Sequence, residues 1–242
     1  MKQLSLVLLG MALSAFSFGQ KLEVSVQVNG GLSRFGGVSA SNSTVLQIYS
    51  SNTQNSGAIS PYGKRFKSSY GASVQFQRVS KTDLLLGLEA GVESLQSRVN
   101  VRGVSITPAI NTSSLGYRQA SGQSDLRNDF INLQPFIGKR LKAGTFDLDV
   151  TIGSDIGIGL NSKEEGTATD IQGEQHKTSL ELNNQSVDIR PRVGVTANYQ
   201  RVGLSASYAN GLVNYVNGYS NGAKMEVYSR VFRLGVLYRL TK

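Results

Sequence analysis

The chain has 242 residues, a formal net charge of +9, no cysteine and no tryptophan. Without cysteine there is neither a disulfide framework nor a cleavage-site cysteine to acylate. Beyond residue 20 no run reaches the ~18 apolar residues of a membrane helix, so helical spans are excluded.

The first element is a leader. Lys2 gives a short positive start, residues 4–16 (LSLVLLGMALSAF) are apolar, and Ser17 and Gly19 put small residues before a cut at Gln20. This reads as a secretory signal peptide over 1–19, cleaved near Gly19/Gln20. Residues 20–242 then form one domain, since no appreciable proline- or serine-rich linker divides them.

Period-two alternation follows, which predicts strands because successive strand side chains point to opposite faces. Leu22, Val24, Val26 and Val28 alternate with Glu23, Ser25, Gln27 and Asn29. Tyr70, Ala72, Val74 and Phe76 define a second strand, and Leu84, Leu86, Leu88, Ala90 and Val92 a third. Ile131, Leu133, Pro135 and Ile137 give a fourth. The clearest is residues 145–160, TFDLDVTIGSDIGIGL, with Phe146 through Leu160 apolar on one face and aspartates and glycines on the other. Val187–Tyr199 alternates likewise, as do Val202, Leu204, Ala206 and Tyr208, and finally Phe232, Leu234, Val236, Tyr238 and Leu240.

The connections alternate short (80–83, 139–144, 200–201) and long (37–67, 96–127, 161–186, 210–226). An apolar face almost free of charge, with the charges sharing the glycine-rich face, suits lipid outside and a polar interior. The expected fold is all-β, a closed antiparallel up-and-down transmembrane β-barrel of eight strands. Residues 46–50 and 98–107 offer a ten-stranded alternative or extensions above the membrane. The expected place is the outer membrane of a Gram-negative envelope, with short turns and both termini periplasmic.

The strand phases put Glu23, Glu89, Glu93, Asp147, Asp149, Asp155 and Asp188 in the lumen, with Arg190, Arg192, Arg233 and Arg239. An eight-stranded barrel is only wide enough for side chains to fill it, and buried charges require partners. The expectation is an acid–arginine network that fills the lumen. Glu23 and Arg239, near the ends of the first and last strands, are the preferred pair, while Arg190 and Arg192 are paired with Asp155 or the third-strand glutamates.

Catalytic chemistry is sparse. His176 is the only histidine, and it falls in a polar segment with Asp170, Glu174 and Ser179. A solvated loop histidine is the expectation; Asp170 or Glu174 as its orienter and Ser179 as nucleophile is the enzymatic alternative. No enzyme, no cofactor and no metal centre is expected, the acids of 161–181 lacking an EF-hand spacing. Lys81, Lys139, Arg140, Lys142 and Arg201 read as short-turn cations. Lys64, Arg65, Lys67, Arg98, Arg102, Arg118 and Arg127 flank outer loops, where lipopolysaccharide phosphates would attract them. Export argues against a nucleic-acid partner despite the basic charge.

FINLQPFIGKRL (130–141), YANGLVN (208–214) and LGVLYRL (234–240) resemble patterns of the small outer-membrane β-barrel proteins of Bacteroidetes, the group that includes PorT-like proteins. Leu240 stands where that family usually has an aromatic, and Thr241 and Lys242 follow it. The resemblance implies contact with the barrel-assembly machinery and a structural or accessory envelope role, with an unknown partner and a secretion association. Surface binding or adhesion through the long loops is the alternative.

Overall fold

The computed structural model describes residues 21–49, 55–107, 116–182, 187–216, 219–220 and 223–241. The predicted leader lies outside them. Among the described residues thirteen strands follow in chain order: β1 (Lys21–Gly36), β2 (Ser43–Tyr49), β3 (Gly57–Ala58), β4 (Arg65–Val79), β5 (Leu84–Thr107), β6 (Gly116–Ala143), β7 (Phe146–Asp170), β8 (Gln175–Glu181), β9 (Val187–Tyr199), β10 (Val202–Asn210), β11 (Tyr219–Ser220), β12 (Ala223–Lys224) and β13 (Tyr228–Arg239).

Eight of them close a ring, β1–β4–β5–β6–β7–β9–β10–β13, and β13 pairs antiparallel with β1. The ring settles the strand number at eight. It is a transmembrane β-barrel because its outside is apolar: Val28, Leu86, Val92, Ile137, Ile152, Val193, Leu204 and Leu234 are all exposed. Closure leaves no barrel edge to satisfy in hydrocarbon.

Short turns join β4 to β5, β6 to β7 and β9 to β10. Asp83 (φ 62°), Gly144 (φ 65°) and Gln200 (φ 52°) hold the left-handed backbone that these reversals need. The turn predicted over 139–144 is shorter than expected, since β6 runs to Ala143.

At the other end β5, β6 and β7, of 24, 28 and 25 residues, continue well past the apolar belt. With β2, β3 and β8 they form a second sheet in the order β3–β2–β5–β6–β7–β8. Residues 46–49 and 98–107 are therefore extensions: β2 runs parallel to β5, pairing Leu46 with Val104. This sheet has its own small core of Leu46, Ala58, Val101, Val104, Ala120 and Ala168.

A filled lumen and an apolar cap

Alternation along each strand points the polar set inward, and the lumen fills in layers. At the short-turn end Arg140 donates to Asp149 through Nε (2.7 Å) and Nη2 (2.8 Å), and to Glu23 through Nη1 (3.0 Å) and Nη2 (2.8 Å). Arg239 Nη2 lies 3.1 Å from Glu23 Oε2. Gln77 Nε2 donates to both carboxylates, at 3.3 Å to Glu23 and 3.2 Å to Asp149, and Asn198 adds a 3.1 Å bond to Asp149. Above this layer Gln27, Gln75, Gln134, Thr151, Thr196 and Ser205 line a polar cavity of about 30 Å³. That is room for about two waters.

The next layer is denser. Arg233 Nη2 donates to Glu93 and to Asp155, each at 2.8 Å, and its Nε also bonds Glu93. Arg190, fully buried, lies 3.4 Å from Glu93, 3.7 Å from Asp155 and 3.8 Å from Asp188, and donates to Asn132 at 2.9 Å. Arg192 approaches Asp155 (3.5 Å) and Glu89 (3.6 Å) and bonds Gln134. Ser73 donates to Glu89 at 2.6 Å. Charges drawn from water this far are held by one another, and removing one partner strands the rest.

Two placements differ from the sequence reading. Asp147 is not in the lumen layers; it sits half-exposed at the rim, 3.8 Å from Arg140. Arg140 is not a turn cation; it is buried and bridges the lower layer. The inward phase Asn132, Gln134, Phe136, Gly138 continues unbroken to Arg140, and that was the available signal.

An apolar cap closes the long-strand mouth: Phe35, Leu95, Leu126, Phe130, Tyr215, Val227 and Val231 pack in one cluster. Tyr215 comes from the segment after β10. Its ring packs edge-on to Phe35, with centroids 4.9 Å apart, and its hydroxyl donates to Asp188 at 2.7 Å. The Arg190 guanidinium lies 5.2 Å from the Phe130 ring centroid, joining the cap to the charge layer below.

The second sheet carries further titratable groups. Glu164 is fully buried against Gly57, Gly166 and Thr178, and Ser124 donates to it. Burial pushes its carboxyl above the usual range despite that bond. His176 is a buried residue of β8, not a solvated loop residue, with Nε2 3.2 Å from Asp170. Arg118 Nη1 donates to both Asp170 and Glu174 at 2.9 Å. Asp170 Oδ1 accepts the backbone N–H groups of Gln172 and Glu174. Burial raises the Asp170 carboxyl, but the bonds from Arg118, His176 and the two N–H groups outweigh it and hold it below the usual range. The donor atoms of Asp170, Glu174 and His176 lie within 4.8 Å of one another, and a guanidinium already bridges the two carboxylates. Ser179 is exposed on the opposite face of β8 from His176, so these two do not form a nucleophile–base pair.

The fold and its apolar outside define a transmembrane β-barrel, here with a filled lumen. Its strand arrangement is similar to that of three solved structures: Ail of Yersinia pestis (12% identity, 90% of this chain and 98% of that chain, TM-score 0.37), Neisserial surface protein A (12%, 91% and 99%, 0.38) and the outer-membrane protease OmpT from Escherichia coli (12%, 93% and 99%, 0.37). These likenesses concern the fold alone. No family model and no curated protein matches the chain. The expectation that the chain is not an enzyme is corrected: one fold hosts catalytic and non-catalytic proteins alike, so a β-barrel is no ground for excluding catalysis.

Proposed function

We propose that the chain is a sealed outer-membrane barrel that holds a rigid β-sheet above the outer leaflet for surface recognition. One observation carries this reading. Among the described residues, three of the four long segments are not slack loops; β5, β6 and β7 continue without a break into a six-strand sheet with a separate buried core. Binding residues are disproportionately found where a rigid scaffold presents them. The packed lumen and apolar cap support an anchoring role for the barrel. The resemblance to PorT-like barrels of Bacteroidetes supports a link to envelope assemblies, and the short basic turns offer the surface for that contact.

The test replaces residues 99–121 and 164–181 with short turns and compares truncated with full barrels on intact cells. Both are first checked for the faster gel migration of unheated, folded barrel. The reading expects surface-ligand capture from panels of immobilised glycans and matrix proteins by the full chain alone. Capture of the same ligand by both forms, or a phenotype that depends only on the short turns, overturns it.

A further inference from the structure

Arg34 and Arg230 are direct register partners on β1 and β13, both on the lipid-facing side of the wall. Like charges directly opposite in a sheet repel. Among the described residues neither side chain reaches a carboxylate. The Arg34 guanidinium lies 4.6 Å from the Phe66 ring centroid, and its Nη1 donates at 3.5 Å to the backbone oxygen of Lys64. Arg230 lies over Gly36, where a Cβ would stand 2.5 Å from its Nε; the missing side chain makes the space it occupies. The Nε atoms of both arginines are buried without a hydrogen-bond partner. Several other cations on this rim are neutralised, Lys67 and Arg98 by Asp125, Arg127 by Asp129 and Lys163 by Glu165, while Arg65 donates to the neutral Asn100. The Arg34–Arg230 pair stands apart from them as uncompensated positive charge.

The pair sits at the top of the apolar belt. Two residues toward the membrane on the same face are Leu32 and Phe232, themselves register partners and 47% and 42% exposed. From Phe232 an apolar groove of about 450 Å³ crosses β10, β9 and β7, lined by Tyr208, Val193, Val195, Val150 and Ile152. Ala206 makes the depression, because its register neighbours Val195 and Leu234 are larger. The groove spans three inter-strand spacings, about 14 Å.

We propose that this seam binds a phosphorylated lipid, with a phosphate on Arg34 and Arg230 and an acyl chain in the Ala206 groove. Two guanidiniums offer a fork of charged donors suited to phosphate oxygens. A lipid is the occupant, and not a soluble anion, because the charges open directly onto the apolar belt and the groove beneath them is almost wholly apolar.

Native mass spectrometry of the full mature chain in detergent tests the assignment, with bisphosphorylated lipid A, enzymatically dephosphorylated lipid A and inorganic phosphate as probes. The expected result is retention of the bisphosphorylated lipid and not of the dephosphorylated one. R34Q/R230Q lowers retention about 30-fold, taking roughly fivefold per cation at a lipid surface, while R34K/R230K, which keeps the charge and loses the fork, lowers it less. Should the glutamine pair fail to fold, the single R34Q and R230Q variants each read out about fivefold. Ala206→Phe fills the groove and also lowers retention. Equal retention by the glutamine variants, or of the dephosphorylated lipid, overturns the phosphate assignment. Displacement by inorganic phosphate, or full retention by Ala206→Phe, marks a soluble-anion site and overturns the lipid assignment.

Discussion

Arg140→Gln is the sharpest perturbation of the lumen. Arg140 makes four charge-assisted hydrogen bonds to Glu23 and Asp149, and all three side chains are buried. Its loss is not shared evenly. Glu23 keeps Arg239 at 3.1 Å and Lys21 at 3.6 Å, whereas Asp149 keeps only the neutral donors Gln77 and Asn198. Breaking a buried pair from one side costs about 3–5 kcal/mol, mostly the penalty of the stranded charge. Arg140→Gln should therefore destabilise the barrel by about 4 kcal/mol, nearly three orders of magnitude in the folded-to-unfolded ratio. Replacing Asp149 by Asn in the same chain removes the stranded charge and should recover about half of that loss. The chain has no tryptophan, so unfolding in urea and detergent is followed by far-ultraviolet circular dichroism and by gel mobility without heating. A cost under about 1 kcal/mol for Arg140→Gln, or a double variant no more stable than the single, refutes the reasoning.

Other outcomes follow from the same layers. A Cβ on Gly87 would stand 2.1 Å from Phe136 Cζ, so Gly87→Val should cost about 1–3 kcal/mol in the same urea assay. Glu164 binds its proton more tightly folded than unfolded, so its share of stability is present below the unfolded value near 4.3 and is lost as pH rises through the folded one. Glu164→Gln should then be more stable than the parent at pH 7, with the gap closing near pH 4, and an unchanged gap counts against this. Asp170 has the opposite sign: its stabilisation is present above the unfolded value near 3.9 and is lost as pH falls through the lowered folded value. Asp170→Asn should raise amide exchange in β8 at pH 7 while leaving the barrel strands protected. Planar-bilayer recordings should show no nanosiemens steps for the parent chain. The double variant Phe35→Ala, Phe130→Ala, which opens the apolar cap, should stay closed as well, because the Arg190 and Arg233 layer fills the lumen beneath it; channels in that variant would show that the cap, and not the charge network, makes the seal.

Strand number, order and facing were legible because lipid outside and polar side chains inside impose one period on every stave. The lumen charges came from that phase too. Arg140 was missed because Lys139, Lys142 and Gly144 around it have the composition of a turn, although its phase is that of the lumen. The apolar cap left a weaker trace. Phe35, Leu95, Leu126 and Phe130 are inward apolar residues scattered over three strands, β1, β5 and β6, and Tyr215 lies in a segment with no periodicity. Extensions at 46–50 and 98–107 were legible as an alternative, but their pairing was not: β2 runs parallel to β5, a non-local contact that no hairpin signal announces. His176 lost its solvent through the second sheet.

The lumen network also constrains how the chain reaches its membrane. Glu23 on β1 needs Arg140 on β6, 117 residues away, and Glu93 on β5 needs Arg233 on β13, 140 residues away. No single hairpin contains both members of either pair. A wall inserted one hairpin at a time would carry bare guanidiniums and carboxylates through hydrocarbon, at about 3 kcal/mol or more for each. Crossing the bilayer and joining the first stave to the last are therefore one event, and the charges act as a lock on the order of assembly.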